Sequence, residues 1–228
     1  MTESVNPAAN LASIKDEIKK AAKIARRSRP PEITAVSKKH NTTAIQSLLE
    51  AGHKIFGENR VQEAYQKWPE LLERFNDIDL RLIGPLQSNK TKEAVALFTT
   101  IETIDREKIA RTIAQEIQAQ GKSPDLYIQI NTGEESQKAG IAPDQADAFI
   151  HLCRADYNLH ITGLMCIPPV NMVPAPHFAL LGKIAQRNSI EKLSMGMSSD
   201  YMDAAKLGAD YVRIGTAIFG ARPQELSQ

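Results

Sequence analysis

Residues 193–220, LSMGMSSDYMDAAKLGADYVRIGTAIFG, read as strand, small-residue turn, helix, glycine, strand and a second small-residue turn. The first turn, Gly196 to Ser199, opens a helix whose start is marked by Ser198, Ser199 and Asp200 and whose end is marked by Gly208. The second turn, Gly215 and Thr216, follows the apolar strand 211–214. Each turn offers what a phosphate dianion requires: backbone N–H groups unshielded by large side chains, hydroxyls that donate, and a helix N-terminus with partial positive charge. One such turn can equally be a tight βα connection and nothing more. Two in successive units, with Arg213 two residues before the second glycine, read as a single phosphate clamp.

Upstream, the same strand-then-helix sentence repeats. A helix opens the chain, with Leu11, Ile14, Ile18, Ala21, Ala22 and Ala25 at helical spacing. Strands are expected at 32–37, 54–56, 80–83, 98–102, 126–131 and 159–167, each followed by a helical pattern; the helix carrying Ile109, Ile113 and Ile117 is the strongest. With the two strands of the opening stretch the count is eight. Strict βα alternation calls for a parallel sheet, because parallel neighbours need crossovers. Eight units suggest closure into an α/β (β/α)8 TIM barrel, and phosphate turns after the seventh and eighth strands stand where such barrels frequently bind phosphate. An open doubly wound sheet would instead carry its glycine fingerprint after the first strand.

Composition limits the partners. At 228 residues without a Pro/Gly/Ser-rich linker, the chain is expected to be one domain, residues 1–228, with residues 1–30 forming an extra helix packed on the barrel. A net charge of +1, from 28 basic and 27 acidic residues, gives no field for nucleic acid or an anionic membrane, and aromatic residues are scarce. Cys153 and Cys166 fit neither a disulfide framework nor a metal spacing, and the five histidines show no ligand spacing. No apolar run is long enough to span a membrane, and MTESVNPAAN is not a signal sequence, so the expected compartment is the cytoplasm.

In a barrel of this kind the active face gathers the C-terminal ends of the strands. The first strand ends in Ser37, Lys38 and Lys39. A lysine in a partly desolvated mouth beside Arg213 has its ammonium form disfavoured, and a neutral amine attacks carbonyls. Strand alternation admits only one of Lys38 and Lys39 to the interior, and the apolar run before them does not decide which. A Schiff-base lysine facing a phosphate cradle is what pyridoxal 5'-phosphate (PLP) requires, its aldehyde and phosphate lying at opposite ends of one ring. After the second strand, Gly57 lets the backbone approach a ring. Asn59 is a candidate both to bond a phenolic oxygen and to cap the next helix, the two roles not being exclusive, and Glu58 is a candidate acid or base or a carboxylate favourably placed at a helix start. Gln87, Asn89 and Lys90 follow the third strand as solvated rim groups. NTGEESQKAG, with Lys138, forms a mobile lip after the fifth, and the proline-rich MCIPPVNMVPAP is stiff and irregular after the sixth.

Taken in order, AVSKK, FGENRVQEAYQK, LIGPLQSNK, KAGI, GLMCIPP, LSMGMSSDYMDA and VRIGTAIFGAR resemble the pyridoxal-phosphate homeostasis protein family, the YggS-like proteins, over nearly the whole chain. The resemblance implies a PLP fold-type III barrel like the N-terminal domain of alanine racemase, with PLP bound as a covalent aldimine. By that match Lys38 is the Schiff-base lysine, and Ser198, Gly215 and Thr216 are phosphate-binding positions with Ser194 and Gly196 as helpers. Arg213 faces the pyridine nitrogen and Asn59 stands beside the ring. The chain departs from the pattern at the third strand, where Leu80-Arg81-Leu82 replaces a common Trp-His-Phe, and after Lys38, where Lys39, His40 and Asn41 follow.

An arginine beside the ring nitrogen leaves that nitrogen unprotonated and the ring a weaker electron sink. Racemases of this fold add a tyrosine base from a C-terminal β domain, which is not expected here; Tyr127, Tyr201 and Tyr211 read as packing residues. The expectation is a monomeric PLP-binding regulator without robust turnover, holding PLP for intracellular homeostasis and delivering it to apo-enzymes. The alternative is a PLP-dependent amino-acid racemase or lyase of low activity.

Overall fold

The computed structural model describes residues 6–220. Eight parallel strands close into a barrel in sequence order. They are β1 (Glu32–Val36), β2 (Ile55–Glu58), β3 (Asp79–Leu82), β4 (Thr100–Ile104), β5 (Asp125–Ile130), β6 (Ile161–Cys166), β7 (Lys192–Ser194) and β8 (Tyr211–Ile214). Closure runs through β8 and β1, where Ile33 pairs with Val212 and Ala35 with Ile214. The helices are α1 (Pro7–Ile24), α2 (Thr42–Glu50), α3 (Val61–Lys67), α4 (Pro69–Arg74), α5 (Thr91–Leu97), α6 (Glu107–Gln120), α7 (Ala146–Ala155), α8 (Pro174–Arg187), α9 (Tyr201–Lys206) and α10 (Thr216–Phe219). This is the (β/α)8 barrel that the strand count calls for.

Local signals explain most boundaries. Asn6 and Asn41 cap α1 and α2, their side-chain oxygens accepting from Ala9 N at 3.1 Å and Ala44 N at 3.0 Å. Gly121 ends α6 in the left-handed conformation. After β2, α3 stops at Lys67 and Pro69 opens the separate helix α4 at its first position, where no N–H is required. Conversely, α8 begins inside the run expected to be irregular, because Pro174 and Pro176 sit in its first turn, where no N–H is required.

The ring of helices is completed by the N-terminal one. Only the four-residue α10 follows β8 among the described residues, and α1 lies over that seam. Asn10 Nδ2 donates to Ile218 O at 2.9 Å, Tyr201 donates to Glu17, and Arg27 donates to Ala209 O at 2.6 Å. Leu11, Ile14, Ile18 and Ala21, the positions picked out by periodicity, form its buried stripe. Among the described residues, no helix is long and apolar enough to cross a membrane, and no cluster of three or more His, Cys, Asp or Glu side chains could hold a metal ion.

The barrel interior is not uniformly apolar. Thr34, Arg81, Thr100, Glu102, Ser194 and Arg213 are all buried, alongside Tyr127. Two register shifts make room for them. Between Ile101 and Ile104 the β4 chain takes three steps against two on β5, and between Leu126 and Tyr127 the β5 chain takes one step against two on β6. Such bulges turn side chains out of the regular alternation.

Candidate functional site

A cleft of about 330 Å³ opens at the C-terminal ends of the strands. Its wall includes Lys38 and His40 from the β1–α2 turn, Asn59 after β2, Ile83 after β3 and Ile167 after β6. Met197, Ser198 and Ser199 after β7, and Arg213, Gly215 and Thr216 on and after β8, complete it. Six of the eight residues singled out from sequence therefore share one space: Lys38, Asn59, Ser198, Arg213, Gly215 and Thr216. Ser194 and Gly196 do not line it.

The Lys38 turn is held from behind. Lys67 Nζ donates to Ser37 O at 2.9 Å and to Glu63 Oε1 at 2.9 Å, and it pairs with Glu58 Oε1 at 2.7 Å. Glu63 in turn accepts from Lys39 N at 2.5 Å. Lys39 is exposed, in the left-handed region with φ +63°, and does not line the cleft. Both lysines lie past the end of β1, so strand alternation does not choose between them; the turn does. His40 stacks on Phe219, ring centroids 4.7 Å apart, which ties this turn to α10.

Glu58 is not in the cleft. It points into the layer between strand and helix, where Ser37 Oγ donates to it at 2.6 Å and Trp68 Nε1 at 3.1 Å. Burial raises its pKa, with Lys67 opposing. It therefore braces the Lys38 turn, and the acid–base role considered from sequence has no access to the mouth. Gly57 is likewise not part of the cleft wall: a Cβ there would stand 2.9 Å from Ile83 Cδ1 and from Thr34 Cγ2, so the glycine makes room for barrel side chains. Asn59 does not cap α3, whose N-cap is Arg60, and its Oδ1 is buried without a hydrogen-bond partner.

The two turns of residues 193–220 meet at the far side of the cleft. The helix after the first begins at Tyr201 with Asp200, one of its expected start marks, at the N-cap position and accepting from Met197 N at 2.5 Å. Ser198 and Ser199 thus stand in an exposed loop ahead of a six-residue helix. Gly196 serves the backbone: its φ is +91°, and a Cβ there would meet Ala204 Cβ at 2.4 Å. Ser194 lies one layer down, accepting from Arg213 Nη1 at 2.7 Å and donating to Glu102 Oε2 at 2.6 Å.

Sequence reading missed Ile167, Met197 and His40 as cleft walls, and Glu102 altogether. Glu102 sits mid-strand in an otherwise β-forming run, and a lone buried-position carboxylate was the available signal. The lip carrying Lys138 proves to be tied to β5, since Gln129 Nε2 donates to Ala139 O at 3.0 Å and Asn131 Nδ2 to Glu135 O at 2.9 Å.

The model of the family described as alanine racemase, N-terminal domain, matches residues 9–223. The chain belongs to that family. Within it, the relatives named pyridoxal phosphate homeostasis protein include one from Vibrio cholerae, 38% identical over 224 residues, covering 93% of this chain and 95% of that protein. One from Haemophilus influenzae is 35% identical, covering 96% of this chain and 97% of that protein. Among solved structures, PipY of Synechococcus elongatus with PLP bound superposes with a TM-score of 0.81 at 32% identity, covering 94% of this chain and all of that one. An alanine racemase of Clostridium difficile shares the fold with a TM-score of 0.69 at 15% identity, matching 96% of this chain and 57% of the racemase.

Proposed function

We propose that this protein is a pyridoxal 5'-phosphate binder of the homeostasis class, holding PLP covalently through Lys38 and passing it to apo-enzymes from the cytoplasm. The observation that carries the reading is the convergence of Lys38, Asn59, Arg213, Ser198, Gly215 and Thr216 on one cleft. The unpartnered Asn59 Oδ1 at the cleft wall supports a fit, because a buried polar atom is stable only once it gains a partner. In this reading Lys38 supplies the amine that joins the cofactor's aldehyde, Arg213 faces the ring nitrogen, and Asn59 meets a polar group on the ring. Ser198, Gly215 and Thr216 hold the phosphate with hydroxyls and loop backbone. Gly196 shapes the loop, and Ser194 reaches the ligand only through Arg213. When bound, PLP supplies an aldehyde that captures amines and a ring that withdraws electrons.

Storage is favoured over turnover by the surroundings of the tyrosines. Tyr127 packs edge-on against Tyr211 with ring centroids 6.5 Å apart inside the barrel, Tyr201 is engaged by Glu17, and no tyrosine lines the cleft among the described residues. The test is a titration of purified protein with PLP, followed by a steady-state panel of amino acids. Saturable binding lost in Lys38→Ala, without racemase or lyase turnover, is the expected result. Amino-acid turnover that disappears in the same variant would replace this reading with the enzymatic one.

A further inference from the structure

Behind Arg213 runs a chain of polar contacts that crosses the barrel and that cofactor binding alone does not explain. Arg213 Nη1 donates to Ser194 Oγ at 2.7 Å and Nη2 to Cys166 O at 2.8 Å, which fixes the guanidinium plane at two points. Since Ser194 Oγ accepts from Arg213, its single hydrogen goes to Glu102 Oε2, 2.6 Å away. Glu102 Oε1 accepts from Arg81 Nη1 at 2.9 Å, and Arg81 Nε donates to Asp79 Oδ2 at 2.7 Å. The Arg81 guanidinium lies 3.5 Å from the centroid of the Tyr211 ring. Arg81, Glu102, Ser194 and Arg213 are each at most 4% exposed. Burial works against the charge on Arg81, and Glu102 and Asp79 more than offset it, so its pKa is raised. The bulge in β4 falls between Ile101 and Ile104, at the point where Glu102 turns to the barrel axis.

We propose that Glu102 is a positioning residue that works through Ser194 to aim the remaining N–H groups of Arg213 into the cleft, so that the site selects a ligand ring with an acceptor nitrogen. This rests on the pyridoxal phosphate reading and adds to it a source of ring specificity two residues removed from the ligand. A guanidinium has five donors, and two held by Ser194 and Cys166 leave three to offer in a set plane. Without the Ser194–Glu102 link the same cation remains, held at one point by Cys166 O and by its 3.8 Å ion pair with Glu102 Oε2, but its plane is no longer fixed at two points.

The probes are PLP and its 1-deaza analogue, in which the ring nitrogen is replaced by C–H, each titrated against the whole protein by absorbance. The wild type is expected to prefer PLP. Ser194→Ala, which deletes one hydroxyl and leaves every charge in place, is expected to lower that preference about tenfold while circular dichroism stays unchanged. Glu102→Gln is expected to match it. If Glu102→Gln fails to fold, Ser194→Ala decides alone. A folded Ser194→Ala protein with the wild-type preference overturns the proposal, as does a wild type that binds both compounds equally. A wild type that binds neither defeats the underlying cofactor reading and this proposal with it, and is told apart by the absence of any PLP binding.

Discussion

His53 shows how a single buried group sets a limit on the whole protein. Its ring is 4% exposed, with Nε2 2.8 Å from Ile55 O, and its pKa is lowered to about 4, chiefly by burial and then by Lys15. The folded pKa lies below the ordinary histidine value of 6.5, so the unfolded chain binds the extra proton more readily. Its contribution to stability is complete above pH 6.5 and is lost as the pH falls toward 4, on the order of 3 kcal/mol in all. Denaturant midpoints at pH 7 and pH 4.5 should therefore differ more in the wild type than in His53→Gln. An equal acid sensitivity of the two proteins would show that His53 does not carry the effect. Contacts from the next βα unit separate Lys38 from Lys39. Which lysine enters the cleft depends on Lys67 and Glu63, residues of the next βα unit, and nothing in the local run AVSKK encodes that.

Strands and helices were the most readable level. All eight strands fall within two residues of the alternation that announced them, since a fully buried parallel strand is an apolar run bounded by turn residues. The ends were less legible after β6, where Pro174 begins a helix inside a run expected to be irregular. The bulges could not be read at all, because they answer to partners on other strands. Gly163 on β6 is the clearest case. A Cβ there would lie 2.1 Å from Tyr127 Cε1, so the glycine exists to admit the Tyr127 ring that packs against Tyr211 and Arg81. Gly163→Ala should destabilise by about 2–4 kcal/mol, seen as a lower thermal midpoint. Gly163→Ala combined with Tyr127→Leu should recover most of the loss. A single variant as stable as wild type would contradict this account of the β5–β6 bulge.

At the scale of the whole molecule, the barrel brings together residues as far apart in the chain as Lys38 and Thr216, and α1 seals the seam on which both stand. Six of the residues that line the cleft were legible because glycine- and hydroxyl-rich turns and a lysine are distinctive residue types at strand ends. Glu102 and the inner role of Ser194 were not, because a buried polar chain draws one residue from each of several distant strands. The central claim is that one amine in this cleft, and only that one, joins an aldehyde whose phosphate sits opposite. It is tested most directly by mixing the protein with PLP, reducing with borohydride, and locating the added mass by peptide mapping. The account predicts a single modification on Lys38, absent from Lys38→Ala. A modification that persists in that variant, or that falls chiefly on Lys39 or Lys138, would contradict it.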